Sequence, residues 1–171
     1  MKKKSLFLIL GVIIFLVISY NFLIVPFNFN GDNNSKEHIS RIIEVDIEKC
    51  NIEIESNTHG GFLGDGVFFA KVNCAGKEKH DDFYNWKEMP LSDPLKKVME
   101  MDQCDDQGCS TAIERYAIPE IDNGYYYFLD RHSESKDKHD DTDLNNRYSI
   151  NFSLAIYDAD NKIIYFYEMD T

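Results

Sequence analysis

The chain has 171 residues, a formal net charge of -12 and 43% hydrophobic content, which suits one modest folded domain and excludes a second large one. All thirty acidic residues fall at or beyond Asp32, whereas Lys2, Lys3 and Lys4 precede it, so the rest of the chain sets fifteen positive charges against thirty negative. Such a surface excludes nucleic acid as a partner, because phosphate binding needs a basic footprint.

Leu6 to Val25 is an uncharged run of twenty residues. A helix of that length rises about 30 Å, the thickness of a bilayer's hydrocarbon core. With three lysines before it and none close behind, the run reads as a signal-anchor transmembrane helix occupying residues 1–27. That reading expects a single-pass cell-membrane protein with its N-terminus in the cytoplasm and the remainder extracytoplasmic. A cleavable signal peptide is the competing reading; the apolar run exceeds the usual h-region, and no clear small-x-small cleavage site follows it. Residues 28–40 (NFNGDNNSKEHIS) are rich in Asn, Gly, Asp and Ser and read as a flexible tether, which places the folded domain at 41–171.

Ile43, Val45 and Ile47 alternate with charged residues, and Cys50, Ile52 and Ile54 alternate in the opposite phase, which predicts strand with a slip near Glu48 and Lys49. The turn-rich NTHGGFLGDG and a strand from Val67 to Cys74 complete a hairpin. Antiparallel pairing with a constant index sum of 124 sets Ile54 opposite Ala70, Ile52 opposite Val72 and Cys50 opposite Cys74. Directly opposed cysteines lie near disulfide reach, so Cys50–Cys74 is the preferred bridge. Ser92 can cap a short helix through Leu95, Val98 and Met99, with Pro94 in its first turn. Cys104 and Cys109 flank four residues and fit a local disulfide; a four-thiolate zinc site built with Cys50 and Cys74 is the less favoured reading.

Thr111 to Ile121 is ambiguous between helix and extended chain. Tyr125–Arg131 reads as a strand, and so does Arg147–Asp158, with Ile150, Phe152, Leu154 and Ile156 on one face and Ser149, Asn151 and Ser153 on the other. The turn DADN then leads into Lys162–Asp170, and a sum of 319 pairs Ile156 with Ile163 and Phe152 with Tyr167. The expected fold class is therefore α+β: an N-terminal transmembrane helix followed by a mainly antiparallel sheet with one or two short helices.

No motif declares chemistry. His59, Asp65, His132 and Glu134 are the candidate ligand- or partner-binding cluster, or the acid/base and metal-binding groups of a hydrolase, although no HExxH or other recognised spacing joins them. Asp140, Asp141 and Asp143, in a long charged loop, are weak candidates for Ca²⁺ and lack EF-hand spacing. Trp86, with Phe83 and Tyr84 beside it, is a candidate partner-binding aromatic, set against the alternative of core packing. Neither GxSxG nor SxxK occurs.

GGFLGDG, WKEMPL, NGYYYFLDRHSES and NRYSINFSLAIYDADNKIIYFYEMDT together resemble a group of small membrane-anchored or secreted uncharacterised proteins of Gram-positive bacteria. The resemblance implies an extracytoplasmic location and a shared domain, and carries no activity, cofactor or catalytic residue. The expected function is a membrane-anchored binding domain for an extracytoplasmic protein or cell-wall partner, without an obligatory cofactor. The alternatives are a metal-assisted surface hydrolase and an immunity-type protein that binds a basic toxin, for which acidity would speed encounter.

Overall fold

The computed structural model describes residues 31–59, 65–75, 83–105 and 108–171. From Ser35 onward these belong to one compact unit. Among the described residues eight strands form, in chain order, β1 (Asn51–Asn57), β2 (Gly66–Asn73), β3 (Lys87–Glu88), β4 (Gln103–Asp105), β5 (Gly108–Ser110), β6 (Gly124–Asp130), β7 (Phe152–Asp158) and β8 (Ile163–Asp170). Six of them make one antiparallel sheet in the order β1-β2-β8-β7-β6-β3, and β4 with β5 make a separate small hairpin. Among the described residues the helices are α1 (Gly31–Ile43), α2 (Asp93–Met99) and α3 (Ala112–Arg115), and Leu144–Asn146 makes a 3₁₀ turn.

The central strands are apolar on both sides, so both sides of the sheet need cover. On the first face, Phe69, Tyr126, Phe128, Leu154 and Tyr167 pack beneath Leu95, Val98 and Met99 of α2, together with Ala112 and Tyr116. On the second, Phe68, Ala70, Ala155, Ile164 and Phe166 pack beneath Ile39, Ile42 and Ile43 of α1 and beneath Val45 and Ile47 after it. Period-two alternation sends neighbouring residues to opposite layers. Tyr126 and Tyr127 thus enter different cores although adjacent in sequence.

The structure corrects the expectation of an α+β chain headed by a transmembrane helix. Among the described residues no helix is long and apolar enough to cross a membrane. The longest, α1, has 13 residues, about 20 Å against the roughly 30 Å a bilayer core requires, and carries charges at Lys36, Glu37 and Arg41. The run Leu6–Val25 lies outside the described residues. What stands is a mainly antiparallel sheet with few helices.

The expected tether at 28–40 is also revised, because Gly31–Ile43 is helical. Ile39, Ile42 and Ile43 have helical spacing and are buried, and burying each stabilises the fold by about 1.5–3 kcal/mol, which outweighs the weak helix propensity of the Asn and Ser residues before them. Ile43, Val45 and Ile47 are buried, but as helix end and irregular chain rather than strand; Cys50 N–H closes a turn onto the Ile47 carbonyl. The phase slip near Glu48 and Lys49, expected as a β-bulge or as a break between two short strands, is the turn that precedes β1, and the sheet's register irregularity lies between Ile54 and Ser56.

The first hairpin has the predicted register, with Ile52 opposite Val72 and Ile54 opposite Ala70. Cys50 and Cys74 are disulfide-bonded just beyond its paired ends, and Cys104–Cys109 forms a second bridge across β4 and β5. Such bonds persist in oxidising compartments, so both suit an extracytoplasmic domain. The last hairpin is shifted by two residues from expectation: Phe152 pairs with Met169 and Ile156 with Tyr165. Asp158 causes the shift, since its carboxylate accepts from the N–H groups of Asp160 and Asn161 and from the Asn161 amide, which stabilises a four-residue loop. Lys162 completes the loop at φ 59°. A two-residue shift keeps every side chain on its face.

Two outcomes test this fold. Cys50→Ser should lower stability under oxidising conditions by about 3 kcal/mol, the loop entropy of a 24-residue separation, and the deficit should vanish in reductant; equal melting temperatures in oxidant would contradict the bridge. Ile39→Ala should cost about 2–5 kcal/mol in urea unfolding, whereas a tether residue would cost nothing measurable.

Candidate functional site

The charged residues of β8 build the main polar cluster. Glu168 follows Ile164 and Phe166 on the second face, so its carboxylate enters a layer that is otherwise apolar. A buried carboxylate must be paired. Its Oε2 lies 2.7 Å from His38 Nε2 of α1, and its Oε1 accepts from Ser153 Oγ at 2.8 Å. Arg131, just past β6, places Nε 3.4 Å from the same Oε1 and bonds Asp170 through Nη2 at 3.0 Å. His59 Nε2 closes the row on Asp170 at 2.9 Å. Burial alone would raise the Glu168 pKa, but the His38 hydrogen bond, the charges of His38 and Arg131 and the Ser153 hydrogen bond outweigh it and hold it below the ordinary value.

The geometry limits what this row can do. A serine nucleophile needs histidine between the hydroxyl and the acid. Here Glu168 stands between Ser153 and His38, so the hydroxyl donates to a carboxylate and is not activated. The row instead fastens α1 and the end of the first hairpin to the sheet.

A second polar group occupies the opposite face at the same sheet end. Asp130 is buried, paired with Arg147 through Oδ2, and accepts the His132 N–H through Oδ1. Burial pushes its pKa up, and hydrogen bonds from Arg147, the His132 backbone and Ser135, with the Arg147 charge, bring the net value down. His132 Nε2 meets Ser149 Oγ at 3.2 Å and its Nδ1 accepts the Glu134 N–H at 3.3 Å. The charged loop after β6 is tied down by Asp130 N–H to the Lys138 carbonyl and by Lys138 Nζ to the His132 carbonyl.

His59 and His132 therefore sit at one end of the sheet, on the two sides of Arg131, but each serves a different set of partners. Asp65 is exposed at the start of β2 and Glu134 is exposed in the loop. Residues 60–64, the remainder of the Gly-rich loop, lie outside the described residues. Glu134, Asp140 and Asp143 line an open hollow of about 490 Å³ with Asp137, Lys136 and Arg147, whereas Asp141 turns inward and accepts from Ser92 Oγ. That bond is why Ser92, although it is the N-cap of α2, makes no side-chain cap. Among the described residues no three His, Cys, Asp or Glu side chains are grouped as a metal ion would need, and all four cysteines are bridged. Trp86 is in the core, its indole N–H donating to the Ile43 carbonyl at 3.3 Å and its ring packed on Phe83 and Tyr127. The exposed aromatic beside it is Tyr84.

His38, Arg131, Ser153, Glu168 and Asp170 were not singled out from sequence. Their signal was present: an acid two residues after Phe166, on an apolar stripe, demands a partner. The chain matches no protein-family model, no curated protein and no solved structure.

The depressed Glu168 pKa gives a signed pH dependence. Its carboxylate stabilises the fold fully above the ordinary glutamate range, and that contribution is lost as pH falls through the lower folded value. Glu168→Gln should lower the urea midpoint at pH 7 and flatten part of the decline below about pH 5. An unchanged midpoint and slope would show that the row contributes nothing to stability.

Proposed function

We propose that this chain is an extracytoplasmic binding domain whose partner is a protein with a basic surface. The observation that carries the reading is the twofold excess of carboxylates over cations beyond Asp32. Arg131 and Arg147 are paired with Asp170, Glu168 and Asp130, and with these five groups set aside thirteen cations still face twenty-seven carboxylates. Complementary charge accelerates encounter and disfavours acidic partners. The histidines that could carry chemistry support the same reading, since His38 and His59 are held by carboxylates and His132 by Ser149 in arrangements that stabilise structure. Two disulfides suit a domain that works outside the reducing cytosol.

The test is association of the full-length protein with purified extracytoplasmic proteins of the same cell, graded by net charge. Basic members should bind, with an on-rate that falls at least about tenfold between about 0.05 and 0.5 M salt. Preference for neutral or acidic proteins, binding insensitive to salt, or turnover of ester, peptide or glycoside substrates would contradict the reading.

A further inference from the structure

One groove stands apart from the polar clusters, between α2 and the segment that enters β6. Its floor is Met99, Leu91 and Ile156, and Ile118 and Ile121 form the side toward β6. Exposed Pro90 and Pro119 stand on its walls, where their fixed φ leaves the backbone little freedom to collapse inward. The space is about 430 Å³, within the range of sites that take a small ligand or a few side chains. Around the mouth, Glu100, Glu120 and Asp122 are exposed carboxylates set against a single cation, Lys96. None of the three carboxylates takes part in an ion pair among the described residues.

We propose that this groove takes an extended segment of the partner protein in which aliphatic side chains are flanked by lysine or arginine. The inference rests on the basic-partner reading and names the surface that would serve it. The apolar floor asks for aliphatic side chains, which gain by leaving water. The acidic mouth chooses what flanks them: a lysine or arginine there lays its methylene stem on the apolar wall and its charge on Glu100, Glu120 or Asp122. Charge also argues against the other occupants. A second copy of this chain carries a net -12 and an anionic lipid surface carries phosphate, so either would bring like charge to the mouth.

The experiment pans a random heptapeptide display library against the full-length protein, in parallel with the variant E100K/E120K/D122K. These three sites are exposed, so the variant should melt with the wild type. Peptides combining Leu, Ile or Val with Lys or Arg should be enriched on the wild type. Synthetic versions of them should move the methyl resonances of Met89 and Met99, which line the groove, and bind the variant at least about tenfold more weakly. If such basic peptides are enriched but bind the variant equally and leave both methyl signals unmoved, the groove is overturned while the basic-partner reading stands. Enrichment of acidic or purely apolar peptides, or no enrichment at all, overturns the groove and the basic-partner reading together. Single replacements Met89→Leu and Met99→Leu assign the two signals among those of the five methionines.

Discussion

The structure depends on the burial of its sheet from both sides. β7 is buried along its whole length, and Ile164 to Tyr167 of β8 are buried without a break, so neither face can be left to water. α2 and α3 cover one side, and α1 with the chain just after it covers the other. Each isoleucine of α1 removed from water contributes on the order of a few kcal/mol, comparable to a sizeable part of the 5–15 kcal/mol net stability of a domain. The chain from Ser35 to Ile47 is therefore part of the fold and no mere approach to it.

The same burial decides where the polar chemistry lies. Glu168 enters a covered face, and its position obliges His38, Ser153 and Arg131 to meet it. Asp130 does likewise on the opposite face with Arg147. Histidines, carboxylates and a serine collect at one sheet end, as they do in many active sites, yet their order and bonding join elements together. Carboxylates outnumber cations two to one from Asp32 onward, and an apolar groove with an acidic mouth remains between α2 and the entry to β6.

Much of the sheet was legible from residues alone. Opposed cysteines and a turn-rich loop fixed the register of β1 and β2, and both bridges form. The spacing of Leu95, Val98 and Met99 marked α2, with Ser92 at its N-cap position but its hydroxyl given to Asp141. Where reading failed, a local signal was overridden by a contact distant in sequence. Asn and Ser around Asn33 suggested a tether, but Ile39, Ile42 and Ile43 found the underside of β2 and β8. Ser153 looked like the polar side of a half-buried strand, until Glu168 from the neighbouring strand made it an interior hydrogen-bond donor. DADN read as the shortest hairpin turn, and the Asp158 carboxylate lengthened it. The continuous runs YYYFL in β6 and IIYFY in β8 were local hints that both faces are covered, because a strand with one wet side alternates instead. Candidate site residues were the least legible, since Trp86 and Asp141 turn inward for reasons that lie in Ile43 and Ser92, far away in the chain.

The most direct test of the two-sided core is native-state hydrogen exchange on the full-length protein, residue by residue. If α1 completes that core, the amides of Ile42 and Ile43 should exchange only with the same large opening that releases the amides of Leu154 and Phe166. Fast exchange along α1 while β7 and β8 stay protected would contradict the account, because the second face of the sheet would then be stable without its cover.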